Sequence, residues 1–291
     1  MTFPLTGTGI WSSALRYSDA GEAADAASEL EALGYSALWL PDIGGDLFSP
    51  LANLLETTTT ITVATGILNL WMHDPVEAAA KHRDFTLRHG HRFLMGIGVS
   101  HAPLIDSTLQ AGAYAKPLAT TRAYLDAIDA SPTPVPVGDR LLAALGPKML
   151  ELARTRAGGT HPYLVTPEHT AVAREALGQD SLVAPEQGVV LETDPDTARA
   201  IARQHLAGYL QLPNYSNNWK RFGLTGDDLL DGGSDRLVDA LIVWGDEAAI
   251  AARVAEHRAA GADHVCIQVL SGNPLDFPRD HWRRLAPALI G

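Results

Sequence analysis

The sequence predicts an α/β protein, a (β/α)8 barrel of the TIM type with insertions after the fourth strand and before the last helix–strand unit. Three observations predict it. Short apolar strands alternate with helical segments along the chain, and eight strands can be counted, each apolar enough to be buried. Five strand-to-helix junctions share one chemistry: Ser49-Pro50, Asp74-Pro75, Gly146-Pro147, Thr166-Pro167 and Asp194-Pro195. Each puts proline at the first helical position behind a small or capping residue. The rival open, doubly wound sheet wants G-x-G-x-x-G after an early strand. Gly7-Thr8-Gly9 and Gly96-Ile97-Gly98 both lack the third glycine.

In order, Gly7 to Trp11 reads as the first strand. Asp19 to Leu33 is a helix opened by Asp19 and Glu22 in a capping-box arrangement and closed by Gly34. Ser36 to Leu40 is the second strand, and Ser49-Pro50 opens a helix. The third strand runs from Thr60 through Leu68 and is interrupted by Gly66, which marks a bulge or a close ligand approach. Trp71 and Met72 follow in a loop read as the wall of a ligand site. Pro75 to His89 is a helix and Arg92 to Val99 the fourth strand. Ser100 to Pro117 is long for a connection and fits a lid or binding loop. Leu118 to Ala130 is helical, Arg140 to Leu145 the fifth strand, His161 to Val165 the sixth and Leu182 to Leu191 the seventh. A helix runs from Asp194 to about Gln211, and Pro213 to Trp244 forms an extra segment of short helical pieces. Asp246 to Ala260 is a helix, His264 to Leu270 the eighth strand, and Pro274 to Leu289 the last helix.

The totals bound the function. The 291 residues are 46% hydrophobic and 19% charged, enough for one large core across residues 1–291 and too apolar for disorder. A formal net charge of −12 argues against a nucleic-acid partner. Cys266 is the only cysteine, which excludes an intramolecular disulfide and fits a reducing cytoplasm. The opening MTFPLTGTGIW lacks the character of a signal peptide, and no apolar run approaches the length of a membrane span.

A barrel places its active site at the C-terminal ends of the strands, which sorts the candidate residues. His89-Gly90-His91 precedes the fourth strand and so falls on the opposite face, as surface histidines rather than metal ligands. Gly146-Pro147-Lys148 is the best anion site, because the N–H groups of Lys148 and Met149 and the Lys148 charge meet at a helix N-terminus. Gly96 and Gly98 leave one face of the fourth strand bare, suited to a flat ring, with Val99 and Ser100 at its end. His101 is either a proton donor or a loop histidine, and Asp42 either a ligand partner or a turn residue.

With these pieces assembled, the chain resembles the bacterial luciferase-like oxidoreductases, and within them the branch that uses the deazaflavin coenzyme F420. The resemblance rests on LGYSALWLPD (33–42), ATGILNLWMHDP (64–75), LMGIGVSH (94–101), AALGPKMLELA (143–153) and GGTHPYLVTPEH (158–169). It implies a coenzyme held at the barrel mouth, with a non-prolyl cis peptide at Gly66-Ile67 behind the ring and Asn69 at the ring edge. It further implies fourth-strand contacts from Gly98, Val99 and Ser100, a phosphate grip at Gly146, Pro147 and Lys148 with His161 beside it, and a homodimer. The implied activity is F420-dependent hydride transfer to or from a small organic substrate. The alternatives are an FMN-dependent monooxygenase of the same family and a non-catalytic deazaflavin- or flavin-binding protein. Many relatives of this branch carry Asp-His after the second strand; here the pair is Asp42-Ile43. Asp42 keeps the acidic half, and His101 and His73 are substitutes for the missing histidine by position. Tyr215, Trp219 and Phe222 of the extra segment either wall the substrate pocket or pack on the barrel.

Overall fold

The computed structural model describes residues 3–290. Its strands are β1 (Gly7–Trp11), β2 (Ala37–Leu40), β3 (Thr62–Thr65), β4 (Leu68–Asn69), β5 (Phe93–Gly98), β6 (Arg140–Leu142), β7 (Gly159–Thr160), β8 (Leu182–Val183), β9 (Glu186–Val190), β10 (Ile242–Trp244) and β11 (His264–Val269). Between them lie α1 (Ala14–Tyr17), α2 (Ala20–Ala32), α3 (Phe48–Thr57), α4 (Pro75–His89), α5 (Ala102–Thr108), α6 (Pro117–Asp129), α7 (Pro147–Arg156), α8 (Pro167–Leu177), α9 (Pro195–Leu206), α10 (Pro213–Arg221), α11 (Asp235–Leu241), α12 (Glu247–Ala259) and α13 (Arg279–Leu289).

All pairings are parallel and run β11-β1-β2-β3-β5-β6-β7-β8. β8 and β9 are two pieces of one run broken at Ala184-Pro185. Hydrogen bonds from Ala184 N to Thr160 O (3.0 Å) and from Cys266 N to Pro185 O (2.9 Å) bridge the break, and β9 pairs with β11. The ring is therefore closed and has the eight positions the sequence predicts. Side chains alternate across it, as the strand period requires. Trp39, Ala64, Leu94, Leu141, Ala184 and Cys266 fill the interior, while Leu38, Val63, Val265 and Ile267 face the helices. Small residues at Ala37 and Ala64 make room for the Trp39 ring, which stacks on His161 at 4.1 Å.

The helix starts follow their caps. The Asp19 carboxylate accepts from Gly21 N and Glu22 N, and Asp74 from Val76 N and Glu77 N. The third helix differs from expectation. It begins at Phe48, and Asp46, not Ser49, receives the free N–H groups. Other boundaries also move. The sixth strand ends at Thr160 instead of spanning His161 to Val165, because the Leu164 N–H goes to Glu186 Oε2 and its carbonyl to Trp219 Nε1. The long connection contains α5, α9 stops at Leu206, and the last helix starts at Arg279. The extra segment ends in a strand: β10 pairs with the outer half of β9 at Ile242↔Gly188 and Trp244↔Val190. No described helix is long and apolar enough to cross a membrane.

Candidate active site

The C-terminal mouth of the barrel opens into a cavity of about 720 Å³. Trp11, Asp42, Gly66, Ile67, Val99, Ser100, His101, Gly146 and His161 reach its wall, and so do Tyr163, His205, Tyr209, Tyr215, Arg221 and Gln268.

The floor is the break between β3 and β4. The Gly66–Ile67 peptide is cis, where the resemblance places it. The Trp11 indole donates to Gly66 O at 2.8 Å. A Cβ at Gly66 would lie 2.8 Å from Trp11 Nε1 and 3.0 Å from His161 Nε2, so only glycine fits between these rings. His161 thus sits beneath the bulge, against Gly66 and Trp39. Its Nδ1 is 2.7 Å from Ala184 O, and a carbonyl only accepts, so Nδ1 carries the proton. Burial pushes the ring pKa down to about 4, leaving a neutral imidazole whose Nε2 has no partner among the described residues.

The expected bare face over the fourth strand is not present. A Cβ at Gly98 would come within 2.7 Å of the Ile67 side chain and 3.1 Å of Ala143 Cβ, and one at Gly96 would meet Thr65 O. The two glycines seat the neighbouring strand and the Ile67 side chain, and Ile67 rather than glycine faces the cavity. Trp71 and Met72 do not line it either. The Trp71 indole donates to Val99 O at 2.9 Å and packs beside Tyr114.

Asp42 is the hub of the second-strand end. Its Oδ1 pairs with Arg16 Nη1 at 2.9 Å; its Oδ2 accepts from His73 Nε2 at 2.7 Å and from Asn69 N at 3.0 Å. Burial alone would raise this carboxyl, but His73, the Asn69 amide and Arg16 together hold it below the usual range. His73 and Asn69 meet Asp42 behind the cavity surface, and Asn69 Nδ2 is buried with no partner among the described residues. Of the three candidate acid–base residues, His101 alone combines a place on the wall with an unpartnered ring nitrogen, Nδ1, and burial lowers its pKa.

The anion end also differs in its cation. Met149 N donates to Gly146 O at 3.0 Å, so Lys148 N is the open donor at the α7 start. Gly146 reaches the cavity, whereas Pro147 and Lys148 do not. The charge over Gly146 belongs to Arg221, whose Nη1 would lie 3.4 Å from a Cβ there. Arg221 sits at the end of α10, lines the cavity, and has no hydrogen bond or ion pair among the described residues. Sequence reasoning missed it, because nothing local in PNYSNNWKR marks a cation that reaches back to Gly146. In the same helix Tyr215 lines the cavity, while Trp219 packs inward with its indole on Leu164 O (2.9 Å). Phe222, just past its end, stays off the cavity wall. Gln268 was also missed, although a polar residue inside HVCIQVL carried the signal.

His91 lies on the far face, 2.6 Å from Asp139 Oδ1, and no group of three or more His, Cys, Asp or Glu among the described residues is arranged to hold a metal ion.

Comparison with known proteins adds the lineage. The family model described as luciferase-like monooxygenase matches residues 2–264. The chain belongs to that family. Among solved structures it is similar to an F420-dependent secondary alcohol dehydrogenase in complex with an F420-acetone adduct, at 14% identity, TM-score 0.75 and 99% coverage of both chains. It is equally similar to the coenzyme F420-dependent tetrahydromethanopterin reductase from Methanopyrus kandleri, at 16% identity, TM-score 0.75 and 98% of both chains. The oxygenating constituent of 3,6-diketocamphane monooxygenase from Pseudomonas putida, in complex with FMN, matches at 13% identity and TM-score 0.65 over 98% of this chain and 96% of that one. At such identities these likenesses concern the fold, shared by F420 and FMN proteins alike.

Proposed function

We propose that this member is a coenzyme F420-dependent oxidoreductase that moves a hydride between the deazaflavin and a small organic substrate. In this reading the whole chain is one barrel unit, and residues 213–245 cover the substrate side. The observation that carries it is the joint presence, in one cavity, of the Gly66–Ile67 bulge and the unpaired Arg221 guanidinium over Gly146. A flat ring with a phosphorylated tail needs both features, and a cavity of about 720 Å³ has room for the ring and a small partner.

When bound, the deazaflavin supplies the hydride chemistry itself. The chain's own groups bind, orient and handle the proton. Ile67, Val99 and Trp11 provide apolar contact. Arg221 and the open backbone at Gly146 hold the phosphate, a charge-assisted grip at a helix start. The His101 ring, on the cavity wall, is the group at which a proton is taken or given. Asp42, with its oxygens already engaged by Arg16, His73 and Asn69, keeps the bulge in place and moves no proton. FMN is the alternative cofactor, because the same grip accepts its phosphate; the GILN and LGPKML segments favour the deazaflavin.

Fluorescence titrations with F420 and, in parallel, with FMN test the reading. Tight F420 binding with weak FMN binding supports it. The reverse assigns the protein to flavin-dependent monooxygenation, and substrate-independent binding without turnover makes it a carrier.

A further inference from the structure

Across the cavity from the engaged Asp42 lies a wall whose hydrogen bonds run in one direction. Tyr163 O–H donates to Gln268 Oε1 at 2.7 Å. With that proton committed, the Tyr163 oxygen accepts from His205 Nε2–H at 3.0 Å. Gln268 Oε1 is thereby occupied, and the carboxamide is turned so that its NH2 end is free. That NH2 group has no partner among the described residues, and unlike the orphaned atoms of Asn69 or His161 it is not sealed from solvent. Gln268 itself is 6% exposed and faces the cavity from β11, next to the interior position of Cys266. Tyr209 and Tyr215 stand beside Tyr163, with ring centroids 5.6 and 6.4 Å away, and bring two more hydroxyls to the same wall.

These groups carry no formal charge. Burial keeps the His205 pKa at about 4 and raises the tyrosines, so imidazole and phenols are neutral at physiological pH. The charged residues that line the cavity are Arg221, over Gly146, Asp42, already paired, and Asp276, which accepts from Asn273 Nδ2 in the loop after β11. A charged substrate group placed here would lose its hydration without gaining a counter-ion, which is costly. An uncharged acceptor oxygen would instead meet an N–H donor whose direction is fixed in advance.

We propose that Gln268, oriented by the His205–Tyr163 relay, is the residue that recognises the substrate, and that the substrate is an uncharged molecule presenting a carbonyl oxygen. The assignment of this oxygen to a substrate rests on the oxidoreductase reading above. The donor site itself does not, so the two are tested separately.

The probes are acetophenone, its deoxygenated counterpart ethylbenzene, and benzoate, each titrated into the full-length protein and followed by ligand-observed saturation-transfer NMR. Acetophenone is expected to bind more tightly than either of the others. Gln268→Glu puts an acceptor where the donor stood, and should weaken acetophenone at least about tenfold while leaving ethylbenzene unchanged. Tyr163→Phe keeps the packing but releases the carboxamide, and should give a smaller loss in the same direction; it also serves if Gln268→Glu does not fold. Equal binding of acetophenone and ethylbenzene, preference for benzoate, or insensitivity of acetophenone to both substitutions overturns the proposal. An F420 titration of the same variants separates the two ideas. Lost acetophenone binding with F420 affinity intact supports a substrate role, whereas loss of F420 affinity alone reassigns Gln268 to the cofactor.

Discussion

The two ends of the cavity treat charge in opposite ways. Around Asp42 every charge is answered: Arg16, His73 and the Asn69 amide all converge on one carboxylate that is out of contact with water. Around Gly146 the Arg221 guanidinium faces the cavity with no carboxylate among the described residues to meet it. The difference separates scaffold from binding surface. A saturated ion cluster holds the second strand to the bulge. An unanswered cation at a helix start costs little while hydrated and gains its counter-charge when a ligand arrives.

The largest effect that can break this contrast is at Asp42. Asp42→Ala leaves the buried Arg16 guanidinium without a counter-ion, with only the Pro41, Gly44 and Gly45 carbonyls to accept from it, and should cost about 3–5 kcal/mol in urea unfolding. A loss near that of an exposed pair, under about 1 kcal/mol, would mean that the cluster is not scaffold. Since the Asp42 carboxyl lies below its ordinary range in the folded state, its contribution is present above the unfolded-state value and fades as pH falls through the folded one.

Glu186 sharpens the point. It is a buried carboxyl at the start of β9, with Oε2 on Leu164 N and Oε1 without a partner among the described residues. Burial pushes it up to about 8 from an ordinary 4.5. Burial raises both acids, and only Asp42 has partners enough to reverse it. At Glu186 the folded state binds the proton more tightly, so stability declines as pH rises from 4.5 towards 8. Glu186→Gln should flatten that decline in pH-resolved unfolding curves, and an unchanged slope would contradict the assignment.

Smaller effects belong to the open end. Arg221→Ala should change stability by no more than about 0.5 kcal/mol, yet weaken a phosphorylated cofactor roughly ten- to hundredfold relative to its ring fragment. Equal loss for both would remove Arg221 from the phosphate. Lys148→Ala, the change the sequence singles out, should alter the same affinity by no more than about twofold, since Lys148 does not line the cavity.

Much of the fold was legible because most barrel strands are apolar on both faces, and because Asp74-Pro75 and Asp194-Pro195 announce their helices in adjacent residues. The bulge was legible for the same local reason: Gly66 interrupts an otherwise β-branched run. What stayed hidden depends on partners distant in sequence. Leu164 looks like strand, but its φ of 52° and its bonds to Glu186 and Trp219 place it in a loop. Gly98 looks like room for a ring until Ile67 is known to fill it. Lys148 looks like the cation of the anion site because Arg221 arrives there only through the packing of α10.

That helix has a consequence for how the protein can change. In nine residues α10 contributes Tyr215 to the wall near Gln268 and Arg221 to the grip at Gly146, while Trp219 anchors it to the barrel. Under the proposed function, substrate range and coenzyme affinity would both depend on this one short helix. Swapping or diversifying it will move both traits together, and an engineer who wants them independent must hold Arg221 and Trp219 constant while varying the residues around Tyr215.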